Sequence, residues 1–109
     1  MTDDFYCDEV LSGRTQVRRV FETENVLAFH HTKPFWPVHI IVIPKKHIGS
    51  LLMLEATEHE LIVEMLMTVK QIAAQIVAEH GGCRVVTNLG KYQDSKHLHW
   101  HVLSGAQLR

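Results

Sequence analysis

Cysteine is scarce in this chain: Cys7 and Cys83 are the only two. They lie far apart and form no motif, which excludes a disulfide framework or a Cys-x-x-Cys redox centre as the basis of the fold. Reduced thiols in a cytoplasm are the simplest reading; a single long-range disulfide is the alternative. An excess of one charge is also missing. Eleven Lys+Arg against 12 Asp+Glu leave a net charge of −1, so neither broad DNA binding nor attachment to an anionic membrane is expected. No apolar run approaches the roughly 20 residues that cross a bilayer, so no membrane span is expected. The opening "MTDDFYCDEV" is acidic where a secretory signal is basic. No repeat, linker or low-complexity tract divides the chain, so one domain over residues 1–109 is expected.

What is present is enough apolar sequence, 46%, for one small core. "VRRVFE" (17–22) and "NVLAFHH" (25–31) read as strands, and "TKPFWP" as a turn because its prolines cannot serve a central strand. "VHIIVIP" (38–44) is the clearest strand: β-branched, almost wholly apolar and stopped by Pro44. "KKHIGSLLMLE" is a connector with room for a short helical turn. Thr57 and Glu60 have the spacing of a capping box. Apolar residues at 61, 62, 65, 66, 69, 72, 73, 76 and 77 then trace a helix face, which Gly81 and Gly82 should end. "CRVVTN" (83–88) and "HLHWHVL" (97–103) read as strands joined by the polar loop "LGKYQDSK". Strands, one long helix and further strands predict an α+β fold, an antiparallel sheet covered on one face.

"HLHWHVL" sets the functional question. On a strand, His97, His99 and His101 share one face about 6.6 Å apart, while Leu98, Trp100 and Val102 face the core. The apolar residues account for folding, so the imidazoles need another explanation. Three readings remain: a solvent-facing polar strand, zinc ligation by His-x-His with a third ligand from elsewhere, and nucleophilic catalysis by one imidazole with neighbours handling protons and charge. The preceding "NLGKYQDSK" supplies amide, hydroxyl and lysine donors, which suit phosphate oxygens better than zinc.

At this point the chain resembles the histidine-triad (HIT) superfamily. "HLHWHVL" matches its His-x-His-x-His-apolar-apolar signature. "NVLAFHHTKPFWPVHIIVIPKKHI" looks like its central strands, and "VVTNLG" and "HVLSGAQL" resemble the segments flanking the triad. The nearest branch is that of the histidine-triad nucleotide-binding proteins. The resemblance implies about five strands, one long helix, a short N-terminal helix and a homodimer. It also implies cleavage of nucleoside monophosphate derivatives, purine nucleotides such as AMP or GMP derivatives, at the α-phosphorus through a nucleotidyl-histidine. His99 would be the nucleophile, His101 would bind phosphate oxygen and assist the leaving group, and His97 and His39 would orient them. Asn88, Gln93 and Ser95 would contact phosphate, with Asp94 standing where an ungapped count places a serine. His31 occupies a position where the family often has an aspartate for the ribose hydroxyls. Phe5, Tyr6, Val10 and Phe29 would line a base pocket, with a place in the core as the equal alternative for each. No cofactor is required. Because some members carry a structural zinc, Asp4, Cys7, His47 and His97 form a degenerate candidate site, while a buried apolar role for Cys7 and a structural role for His47 are the alternatives.

Overall fold

The computed structural model describes residues 5–108. Among them, five strands form one antiparallel sheet: β1 (Arg19–Glu22), β2 (Val26–His30), β3 (Val38–Pro44), β4 (Arg84–Val86) and β5 (Trp100–Ser104). Their order is β1-β2-β3-β5-β4. The long helix α1 (His59–His80) connects β3 to β4, and a short N-terminal helical segment spans Tyr6–Leu11. This is the expected α+β architecture.

Alternation along the strands creates two apolar layers. Val26, Ala28, Ile40, Val42, Leu98 and Val102 meet Met65, Val69, Ile72 and Ile76 of α1. Leu27, Phe29, Ile41 and Ile43 form the opposite layer, closed by Tyr6 and Val10. The N-terminal segment therefore covers the sheet face that α1 leaves bare, and the triad belongs to that face.

Three local expectations are corrected. The strand carrying the histidines begins at Trp100, so His97, Leu98 and His99 precede the ladder. They are held individually instead: Leu98 N–H donates to Ile48 O at 2.6 Å, and Thr87 Oγ1–H donates to His99 O at 2.8 Å. The capping box is formed by Glu55 and Glu58 around a 3-10 turn, not by Thr57 and Glu60, because an extra tight turn precedes α1. The apolar face read along α1 also splits. Met65, Val69, Ile72 and Ile76 are buried, but Leu66 and Val77 are 48% and 46% exposed. The predicted stop holds: Gly81 adopts φ +88° and its N–H donates to Val77 O, a left-handed cap that a side chain would strain.

At 100° per residue, Val63, Leu66, Met67 and Val77 form a second apolar stripe opposite the buried one. Apolar character on both sides is why residues Ala56–His80 are, by length and composition alone, apolar enough to cross a membrane despite the interruptions in the run. In the fold, the buried stripe of this helix is the layer that covers the sheet.

Candidate active site

Four histidines meet where β3 and β5 run side by side. His39 and His101 are diagonal neighbours across this pair, with register His39↔Leu103 and Ile41↔His101. His39 Nε2 and His101 Nδ1 are 2.9 Å apart. His101 and His99 approach to 5.0 Å between ring centroids. His97, His39 and His99 are at most 4% exposed, and His101 is half-buried.

Hydrogen-bond partners settle the proton positions of the neutral rings, because a carbonyl only accepts and an amide N–H only donates. His99 Nδ1 lies 2.8 Å from His97 O, so Nδ1 carries the hydrogen and Nε2 keeps its lone pair. Phe35 N–H donates to His39 Nδ1 at 3.1 Å. The His39 proton is therefore on Nε2, from which it donates to His101 Nδ1, and the proton of His101 is on Nε2. Thus one ring presents a nucleophilic nitrogen and the adjacent ring a donor. Burial, then His31 and His101, push His39 down to about 3. Burial, then His99 and His31, bring His101 to about 4, so both rings are neutral at pH 7.

Behind the triad, Tyr6 is buried with its ring 4.8 Å from that of His99 and 5.9 Å from that of Phe29. Phe29 is 1% exposed and belongs to the core, the alternative to a place on a base pocket. His31 stacks on His39 at 4.2 Å and 25°, and its Nδ1 accepts from Lys33 N–H at 2.9 Å. Asn88 is half-buried just beyond β4, whose Val86 is paired with His101. Gln93 is buried, and its amide donates to Gly49 O at 2.6 Å and Ser95 O at 2.8 Å. Its donors hold the loop. Ser95 Oγ, by contrast, is one of two buried polar side-chain atoms lacking a partner among the described residues; Trp100 Nε1 is the other. Ser95 therefore has an uncommitted hydroxyl and Gln93 does not have an uncommitted amide hydrogen.

Cys7, His47 and His97 meet on the far side of the triad, their ligand atoms mutually within 4.8 Å. Cys7 Sγ is 3.2 Å from His97 Nδ1 and 3.9 Å from His47 Nδ1. These separations bracket the roughly 3.5 Å sulfur–nitrogen edge of a tetrahedral zinc site. His97 Nε2–H donates to Pro44 O at 2.7 Å, an outer bond typical of ligating histidines. Three of the four expected ligands thus fit zinc, and Asp4 lies outside the described residues. Such an ion would tie the N-terminal segment to the triad and supply no reacting group. Neither cysteine forms a disulfide among the described residues, and Cys83 is half-buried.

Sequence reasoning missed the groups that set the tautomers. They are Phe35 N–H, His97 O and Pro44 O, and backbone atoms leave no mark in a sequence. Thr87, another anchor, stood unremarked in "CRVVTN".

The family assignment follows from this fold and constellation. The model of the HIT domain matches residues 13–108, and the chain belongs to that family. It is 38% identical over 110 residues to an uncharacterized HIT-like protein of Synechococcus elongatus, covering 99% of this chain and 96% of that one. A HIT family hydrolase from Legionella pneumophila superposes with a TM-score of 0.83 at 31% identity, covering 97% and 96% of the two chains. A histidine triad protein from Clostridium difficile gives 0.81 at 33% identity, covering 100% and 96%.

Proposed function

We propose that this single-domain protein is a nucleotide-binding hydrolase or transferase of the histidine-triad nucleotide-binding branch. Its substrates are nucleoside monophosphate derivatives of phosphoramidate, adenylyl ester or dinucleotide type, with purine nucleotides as the expected class. The observation that carries this reading is the tautomer pattern: His99 Nδ1–H is spent on His97 O, so the lone pair of the neutral ring is on Nε2.

His99 Nε2 donates its lone pair to the α-phosphorus. The bond from phosphorus to the leaving nitrogen or oxygen breaks, and the departing group takes a proton from solvent. His101 Nε2–H, set by the relay through His39, stabilises the charge that develops on the phosphoryl group. Ser95 Oγ–H adds a second donor. Water then adds to the nucleotidyl-histidine, the phosphorus–Nε2 bond breaks, and a nucleoside monophosphate leaves. Throughout, His99 Nδ1–H stays on His97 O, which supports the positive charge carried by the substituted ring.

The test is turnover of an AMP phosphoramidate with wild type and His99→Ala. Trapped enzyme should carry the nucleotidyl adduct on His99, not on His97 or His101, and the variant should lose turnover while remaining folded. Substantial hydrolysis by the variant removes His99 from the covalent role. Nucleotide binding without turnover in the wild type favours a binding or scaffolding module. Loss of turnover on chelation, restored by zinc, favours the metal reading.

A homodimer is part of the proposal. Val63, Leu66, Met67 and Val77 form an exposed apolar stripe on α1, and β4, with Val85 44% exposed, is an outer strand of the sheet. Pairing across that edge and stripe buries both at once.

A further inference from the structure

Beside the triad, at the end of the sheet where β2 leads into the 31–37 turn, lies a cavity of about 420 Å³. Thr15, Arg18, His30, His31, Thr32 and His39 are among the residues that line it. His39 belongs to both this wall and the relay to His101, so the cavity adjoins the reacting groups.

The chemistry of the wall is one-sided. No carboxylate is among its described residues. Arg18 has five donors and no acceptor; burial first, and then the Arg18 charge, lower the affinity of His30 for a proton. His31, which lines the cavity, accepts from Lys33 N–H at Nδ1, so in the neutral ring the hydrogen is on the other nitrogen, a donor and not an acceptor. His39 has both nitrogens engaged and contributes surface alone. Thr15 gives its hydroxyl hydrogen to Glu9, whose carboxylate also faces Arg14 at 3.7 Å and does not line the cavity. Gln16 and Thr32 are neutral groups able to serve as donor or acceptor. A ribose diol brings two donors and needs acceptors; a phosphate brings acceptors and negative charge. The committed groups here match the second.

We propose that this cavity is an anion subsite, receiving a phosphate of the substrate other than the one that His99 attacks. The proposal rests on the nucleotide reading above and narrows it to substrates bearing two phosphate groups. The second phosphate has two sources, the ribose 2′ or 3′ oxygen, or the chain attached to the α-phosphate.

Titration calorimetry on the wild-type protein separates them, using AMP, adenosine 3′,5′-bisphosphate, adenosine 2′,5′-bisphosphate and ADP. At least one two-phosphate ligand should bind about tenfold or more tightly than AMP, the effect of a charge-assisted contact. A ribose bisphosphate as the tightest ligand assigns the group to the sugar, and ADP as the tightest assigns it to the phosphate chain. Arg18→Gln should bring the preference close to parity. His31→Asp should reverse it toward AMP, because aspartate can still accept from Lys33 N–H and keep the turn while placing a carboxylate in the cavity. Rising salt should shrink the wild-type preference. If AMP binds as tightly as every two-phosphate ligand while the AMP phosphoramidate is still turned over, this subsite is refuted and the nucleotide reading stands. If no nucleotide binds and none is turned over, both fall.

Discussion

At the residue scale, one backbone amide governs the proposed catalytic arrangement. Phe35 N–H occupies His39 Nδ1, and two imidazole tautomers follow in sequence. Removing the middle ring should therefore cost rate more than affinity. His39→Ala is expected to lower kcat by about 10²-fold or more, the scale of a lost proton-handling group, with KM nearly unchanged. A fall confined to KM would place His39 in binding instead. The same burial makes stability depend on pH. In the fold His39 is brought from 6.5 to about 3 and His101 to about 4, so both stay neutral while the unfolded chain takes up protons near 6.5. The unfolded state binds more protons throughout that window, so the contribution to stability is whole above pH 6.5 and declines as pH falls toward 3. Urea midpoints should accordingly drop between pH 7 and pH 5, before most carboxylates titrate. A midpoint that is flat over that range contradicts the buried neutral relay.

At the scale of elements, the hydrogen bonds described between α1 and the β1–β2 hairpin converge on one side chain. Glu64 accepts from Thr23 Oγ1–H, from Asn25 N–H at 3.1 Å and from Asn25 Nδ2–H at 3.0 Å. Glu64→Ala leaves those donors to solvent and should destabilise by about 1–3 kcal/mol, which lowers Tm by several degrees in a domain of this size. Turnover should be retained, because the helix side of the sheet is opposite the triad; a parallel loss of turnover would show that the two faces are coupled. The N-terminal segment is joined differently, through Cys7 to His97 and His47. Since a metal there would support structure and not reaction, turnover should survive EDTA even where thermal stability drops. Abolished turnover without unfolding would give the metal a role in the reaction.

At the scale of the whole molecule, the two stripes of α1 predict opposite outcomes for similar substitutions. Ile72 is 3% exposed inside the core, so Ile72→Lys should unfold the chain by burying an unpaired charge. Leu66 is 48% exposed on the other side, so Leu66→Lys should leave the fold intact and shift the proposed dimer toward monomer. Light scattering beside circular dichroism checks both. A wild-type mass near 12.5 kDa at micromolar concentration refutes the dimer.

Periodicity by itself determined the α+β class, the helix that ends at Gly81 and the strand over Val38–Pro44, because each follows from local spacing of apolar residues. The motif also singled out His39, His97, His99 and His101 before any coordinates. Tertiary structure decided the rest. Phe29 had the composition of a pocket wall and is core because Tyr6 and Val10 close over it. The two stripes of α1 looked like one broad face until the sheet covered only part of it. Gln93 and Ser95 looked equivalent as phosphate donors, and Gly49 O, 44 residues from Gln93, separated them. The chemical division between His99 and His101 was illegible for the same reason. Identical side chains acquire different tautomers only from the backbone atoms that the fold brings beside them.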